Sequence, residues 1–217
     1  MENLNNYIEH TLLKQDAVKA DFIKLFNEAK ENKFFGVCVN PAYVALAKEY
    51  LKDSGVKIVT VVGFPLGANK TIVKSLEALT ALKDGADEID MVINVTELKN
   101  KNYEYVKNDI MAVKAVCEDS ILKVILETDL LTKDEIVKAC EICAKAGANI
   151  VKTSTGFVKN GVGAKVEDVK LMHDTVEKYG MSVKASGGIK TREQAIALIE
   201  AGASRLGTSS GVQIVKG

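Results

Sequence analysis

The stretch Gly85-Ala86-Asp87-Glu88-Ile89-Asp90-Met91-Val92 holds a helix stop and a strand in direct succession. The segment before it, Lys70–Lys83, has helical apolar spacing, and Gly85 can take the left-handed conformation that ends a helix. After the glycine comes Glu88–Ile93, an apolar run of strand length. Gly147-Ala148-Asn149 and Gly202-Ala203-Ser204 repeat this punctuation between a helical segment and an apolar run. A recurring helix–glycine–strand unit is the βα module.

Working outward from that stretch, further strands are expected at Tyr7–Leu12, Phe34–Val39, Lys57–Val62, Leu122–Glu127, Asn149–Thr153, Met181–Ala185 and Arg205–Thr208. Helices are expected at Asp16–Glu31, Pro41–Lys52, Tyr103–Cys117, Thr132–Ala146, Lys165–Tyr179 and Thr191–Glu200, with a short one closing the chain. Pro41 after Asn40 marks one start, and the capping box from Thr132 to Glu135 marks another. Repeated βα units imply a parallel sheet, either open and doubly wound or closed on itself. Eight of them in 217 residues suit the compact closed form. The expected fold is therefore α/β, a (β/α)8 TIM barrel, as one domain over residues 1–217.

Composition excludes several functions. With 29 Lys+Arg against 29 Asp+Glu the formal net charge is zero, which gives no electrostatic ground for a nucleic-acid or membrane partner. No apolar run approaches the ~20 residues that span a bilayer. The start Met1-Glu2-Asn3-Leu4-Asn5-Asn6 is polar and unlike a signal peptide, so a cytoplasmic location is expected. Cys38, Cys117, Cys140 and Cys143 form no disulfide framework. Cys140 and Cys143 are spaced C-x-x-C, but within a helical segment and without a second pair or a nearby histidine. They read as buried helical thiols, and no metal or other cofactor is expected.

Strands covered on both faces should be apolar, so charges inside them stand out. Asp90 lies in Glu88-Ile89-Asp90-Met91-Val92, Lys123 in Ile121-Leu122-Lys123-Val124-Ile125, Lys152 in Ile150-Val151-Lys152-Thr153-Ser154, and Lys184 in Ser182-Val183-Lys184-Ala185-Ser186. Strand alternation sets Lys123, Ile125 and Glu127 on one face, and Asp90 on the face of Glu88 and Val92. In a closed barrel such faces converge near the C-terminal strand ends, where barrel active sites lie. One lysine alone reads as snorkelling or half an ion pair. Three on separate apolar strands, with an aspartate, read as used. A free lysine titrates near ~10.4, and a second ammonium within ~4–6 Å lowers that value, as does burial. A neutral amine produced this way suits Schiff-base chemistry on a carbonyl. The expectation is a local positive cluster hidden within a neutral total.

Ser186-Gly187-Gly188 after the seventh strand and Gly207-Thr208-Ser209-Ser210-Gly211 after the eighth supply small residues where such barrels bind phosphate. Gly156–Gly163 reads as a further loop at the same end. No nucleotide or dinucleotide glycine motif is present.

These residues resemble the deoxyribose-phosphate aldolase family of class I aldolases. The resemblance runs from Ile8-Glu9-His10-Thr11-Leu12-Leu13 through Val37-Cys38-Val39-Asn40-Pro41, Val62-Gly63-Phe64-Pro65-Leu66-Gly67 and Leu122-Lys123-Val124-Ile125-Leu126-Glu127-Thr128. It continues through Lys152-Thr153-Ser154-Thr155-Gly156 and Lys184-Ala185-Ser186-Gly187-Gly188-Ile189 to Ser209-Ser210. It implies reversible cleavage of 2-deoxy-D-ribose 5-phosphate to D-glyceraldehyde 3-phosphate and acetaldehyde, without metal or cofactor. It further implies Lys152 as the Schiff-base lysine, Lys184 as the lysine that perturbs it, Asp90 as the acid/base carboxylate and Lys123 on the substrate side of that relay. Gly156, Gly187, Gly188, Ser209 and Ser210 would hold phosphate, Glu9 would touch substrate hydroxyls, and Cys38 matches a cysteine position near the site, its own expected role being that of a buried strand cysteine. A homo-oligomer, dimer or tetramer, is expected.

Three departures bear on rate and affinity. Glu9 stands where the family usually has aspartate, and Phe157 where some members have lysine. The sequence closes Gln213-Ile214-Val215-Lys216-Gly217, without the tyrosine some longer members carry. The competing enzymatic reading is a Schiff-base aldolase of the transaldolase or keto-acid type. The non-enzymatic one is a sugar-phosphate-binding barrel, which would have no use for an activated amine.

Overall fold

The computed structural model describes residues 3–217; Met1 and Glu2, which open the polar N-terminal stretch, lie outside the described residues. Eight parallel strands follow one another around a closed barrel: β1 (Ile8–Leu12), β2 (Gly36–Val39), β3 (Lys57–Val62), β4 (Glu88–Val92), β5 (Ile121–Ile125), β6 (Ile150–Lys152), β7 (Ser182–Ser186) and β8 (Ala203–Thr208). Pairing of Ile8 with Leu206 and Glu9 with Gly207 joins β1 to β8, which excludes the open sheet. Around the barrel lie α1 (Lys19–Glu31), α2 (Val44–Tyr50), α3 (Thr71–Asp84), α4 (Val95–Lys99), α5 (Tyr103–Cys117), α6 (Lys133–Lys145), α7 (Val166–Val176), α8 (Arg192–Glu200) and α9 (Gly211–Lys216).

The expected punctuation is present. Gly85 ends α3 with φ 110°, and Gly202 repeats that angle between α8 and β8. Thr132 caps α6, its hydroxyl accepting from the Glu135 amide while the Glu135 carboxylate accepts from the Thr132 amide. Several limits differ by a few residues, and two differences have a clear local cause. α1 begins at Lys19 rather than Asp16, because the Val18 amide is taken by the Asp21 carboxylate and the preceding residues form a turn. α4 was not foreseen; it has five residues and one buried side chain, Leu98, too few for periodicity to register. Asn94 caps it by accepting from the Glu97 amide.

Alternation along the strands sorts side chains into two cores. Val37, Ile89, Met91, Leu122, Val124, Val151, Val183 and Ala185 point outward and pack under the helices. Inside the barrel, Leu13, Cys38, Val59 and Val61 form a small apolar cluster with Phe64 beside it. Beside Val92 and Ile125, the same interior face carries the charged groups of the site described below. Between α3 and α5 a second buried ion pair occurs, with Lys74 Nζ 2.6 Å from Asp109 Oδ2 and also donating to the Val92 carbonyl at 3.0 Å. It ties both helices to the end of β4, the strand that carries Asp90. Among the described residues no helix is long and apolar enough to cross a membrane.

Candidate active site

Six charged side chains from five strands meet inside the barrel. Asp90 is the hub and is fully buried. Its Oδ1 accepts from Lys123 Nζ at 2.9 Å, and its Oδ2 accepts from Lys152 Nζ at 2.8 Å and Lys184 Nζ at 2.7 Å. The β4–β5 register sets Asp90 beside Lys123, and the β6–β7 register sets Lys152 beside Lys184. Lys184 also donates to Glu9 from β1. Lys123 completes its shell with Glu88 Oε2 at 2.5 Å and Glu9 Oε1 at 3.4 Å.

The expected positive cluster is corrected by this geometry: three ammonium groups face three carboxylates. Tertiary closure brings Glu9 and Glu88 to the same interior as the lysines, because burying unpaired cations would cost several kcal/mol each, on the order given for desolvated ions. The charges are held in place accordingly. Burial opposes ionisation of Lys184, but Asp90 and Glu9 outweigh it and hold the ammonium above the ordinary lysine range. The same competition raises Lys123, with Asp90 and Glu9 the main opposing partners. Burial would raise the Asp90 carboxyl, yet Lys123, Lys152 and Lys184 together hold it well below the usual carboxylate range.

Above this network opens a cavity of about 240 Å3 at the C-terminal end of the barrel. Lys152, Gly156, Gly187, Gly188 and Ser209 line it together, so these expected site residues share one space. Asp90 and Lys184 lie beneath it, reached through Lys152. Four further expected site residues do not line it. Lys123 and Glu9 are fully buried, paired with each other, with Lys184 also bound to Glu9 and Asp90 to Lys123, and they do not line the cavity. Cys38 is a buried strand cysteine in the apolar interior cluster, near enough to feel the charges of Lys184, Lys152, Asp90 and Glu9, and burial pushes its thiol up. Ser210 immediately precedes α9, its amide donating to Thr208 Oγ1.

Several lining residues were not foreseen. Phe157 packs edge-on against Phe64 with ring centroids 5.1 Å apart, forming an apolar flank to the cavity. Thr155 lines the wall, while its amide and hydroxyl hold the buried Glu127, whose carboxyl burial pushes up. Lys14, exposed in the loop after β1, is the other cationic side chain on the wall besides Lys152. Its position after the Ile8–Leu13 motif was the available signal, since loops after barrel strands form the site.

The thiols of Cys140 and Cys143 are buried on α6, with Cys140 pushed up to about 12 by burial. Among the described residues no group of three or more His, Cys, Asp or Glu side chains is arranged to hold a metal.

The comparisons with known proteins agree with this geometry. The family model described as DeoC/LacD family aldolase matches residues 7–217. Deoxyribose-phosphate aldolase of Finegoldia magna is 58% identical over 214 residues, covering 99% of each chain. The enzyme of that name from Lactococcus lactis subsp. lactis is 54% identical, covering 99% of this chain and 96% of its own. The solved tetrameric deoxyribose phosphate aldolase of Aeropyrum pernix superposes with a TM-score of 0.91 at 33% identity, over 98% of this chain and 89% of that one. A barrel whose interior lysines share one aspartate, matched by that family model over residues 7–217, belongs to the DeoC/LacD family of aldolases.

Proposed function

We propose that this aldolase reversibly cleaves 2-deoxy-D-ribose 5-phosphate to D-glyceraldehyde 3-phosphate and acetaldehyde through a Schiff base on Lys152. The observation that carries the reading is Lys152 Nζ, on the wall of the cavity and 2.8 Å from an aspartate that also binds Lys184. Lys152 becomes a nucleophile by losing a proton, which Asp90, hydrogen-bonded to its Nζ, relays with water during carbinolamine formation, while Lys184 stays cationic and balances the carboxylate through the cycle. The neutral amine adds to the substrate aldehyde, and loss of water leaves an iminium. Removal of the C3 hydroxyl proton then breaks the C2–C3 bond. The bond pair flows into the iminium as an enamine, and glyceraldehyde 3-phosphate departs. Protonation of the enamine carbon and hydrolysis release acetaldehyde and restore Lys152.

Gly156, Gly187, Gly188 and Ser209 are the proposed phosphate contacts, with Lys14 supplying the cation that Phe157 does not. They lie away from the reacting bond, where binding energy positions the substrate. Lys123 and Glu9 serve the network rather than touching the sugar. We further propose that residues 1–217 act as one catalytic domain, in the cytoplasm. The tetrameric relative from Aeropyrum pernix supports a homo-oligomer here.

Borohydride trapping with acetaldehyde, followed by peptide mass mapping, tests the core of this reading. An ethyl adduct on Lys152 is expected. No adduct there, or equal labelling after Lys152→Ala, overturns it. A panel of aldehyde and keto-acid donors separates acetaldehyde use from the transaldolase and keto-acid types.

A further inference from the structure

The ionic interior has one member that reaches solvent away from the substrate cavity. Glu88 opens β4, and its side chain is 9% exposed. On one side its Oε2 lies 2.5 Å from Lys123 Nζ. On the other it lines a cleft of about 600 Å3 at the N-terminal ends of β3, β4 and β5, together with Lys57, Lys83, Asp87, Glu118 and Asp119. From that cleft a continuous series of contacts runs up the barrel: Glu88 to Lys123, Lys123 to Asp90 at 2.9 Å, and Asp90 to Lys152 at 2.8 Å.

Lys123 already has two carboxylate partners in Asp90 and Glu9. A third, mostly desolvated, is not needed to pair one ammonium, and its burial has a cost. What Glu88 changes is the sum. With it, three ammonium groups meet three carboxylates; without it, Glu9 and Asp90 alone face Lys123, Lys152 and Lys184. We propose that Glu88 is a positioning residue for the reaction, acting through Lys123 and Asp90 to set the charge balance around Lys152 from the opposite end of the barrel. The proposal rests on the Schiff-base reading of Lys152. The other charges facing Glu88 are Lys57 on β3, Lys83 on α3, adjacent Asp87, and Glu118 and Asp119 after α5. These border the solvated cleft, where water screens them; Lys123 is fully buried, so its coupling to Glu88 is the strong one.

The test is the pH profile of kcat/KM for deoxyribose 5-phosphate cleavage in Glu88→Gln. An extra positive charge in a dry interior favours proton loss from a neighbouring ammonium. The acid limb is therefore expected to move to lower pH by about one unit, a tenfold change in the proton equilibrium. The pH dependence of borohydride trapping on Lys152 should move with it. A profile superimposable on wild type, or one moved to higher pH, overturns the proposal even if turnover falls, because a merely structural loss lowers the rate equally at every pH. Glu88→Asp keeps the charge but withdraws it from Lys123, and a smaller shift in the same direction is expected. Should Glu88→Gln not fold, absence of any shift in Glu88→Asp overturns the proposal equally. Failure of the wild-type protein to trap on Lys152 overturns the Schiff-base reading instead, and the same experiment reads it.

Discussion

Replacing Lys184 by leucine separates catalysis from binding. In the folded protein Lys184 is fully buried and bonded to Asp90 Oδ2 and Glu9. Leucine leaves two ammonium groups facing three carboxylates. Asp90 keeps Lys123 and Lys152, while Glu9 keeps Lys123 at 3.4 Å. Breaking a buried ion pair from one side costs about 3–5 kcal/mol. For a chain of this size that lowers Tm by roughly 6–20 °C, taking about 2–4 °C per kcal/mol. The chemical effect is separate. The uncompensated negative charge stabilises the ammonium form of Lys152, and a thousandfold loss of neutral amine corresponds to about 4 kcal/mol. We expect kcat to fall at least that far while deoxyribose 5-phosphate still binds, because no phosphate contact is altered. The assay is cleavage followed by reduction of the released aldehyde, at a temperature where circular dichroism shows the variant folded, with calorimetry for binding. Turnover within tenfold of wild type would refute the role assigned to Lys184.

Other perturbations follow from the same geometry. Lys14→Gln should raise KM for deoxyribose 5-phosphate about tenfold, in line with loss of a charge-assisted contact of roughly 1.5–3 kcal/mol, and leave KM for unphosphorylated deoxyribose unchanged. Equal effects on both sugars would remove Lys14 from phosphate binding. Lys74→Met leaves Asp109 buried with only Thr71 as a side-chain partner and should destabilise the fold by about 3–5 kcal/mol in urea unfolding. The double variant Lys74→Met with Asp109→Leu should recover most of that, and a loss under about 1 kcal/mol in the single variant would contradict the buried pairing. Asp90 has a folded pKa below its unfolded value near 3.8, so its stabilisation is full above that pH and disappears as pH falls through the folded value. Acid unfolding of Asp90→Asn should accordingly show a shallower slope below pH 3.8, and an unchanged slope would assign acid sensitivity to other carboxylates.

The legibility of the site varied with the kind of signal each residue carried. Lys123, Lys152, Lys184 and Asp90 stood out because a charge within an apolar strand is costly wherever the strand packs. Glu9 and Glu88 gave no such signal from the residues alone, since each lies at or near a strand start, where a carboxylate is ordinarily solvated. Their burial follows from closure of β8 onto β1 and from the stagger between β4 and β5. Lys14 and Phe157 sit in loops, where side-chain direction depends on tertiary contacts; only the packing of Phe157 against Phe64 fixes that flank of the cavity.

The sequence by itself determined the repeating βα plan, the strands and most helix limits, because strand alternation, helical spacing and left-handed glycines are local properties. It also singled out the lysines and the aspartate. What only the tertiary structure decided is their charge state as a group. Electrostatic balance is a sum over neighbours, and neighbours from five strands become neighbours only when the barrel closes. The neutral total of 29 against 29 is thus repeated within the barrel, where three lysines meet three carboxylates and Asp90 joins them.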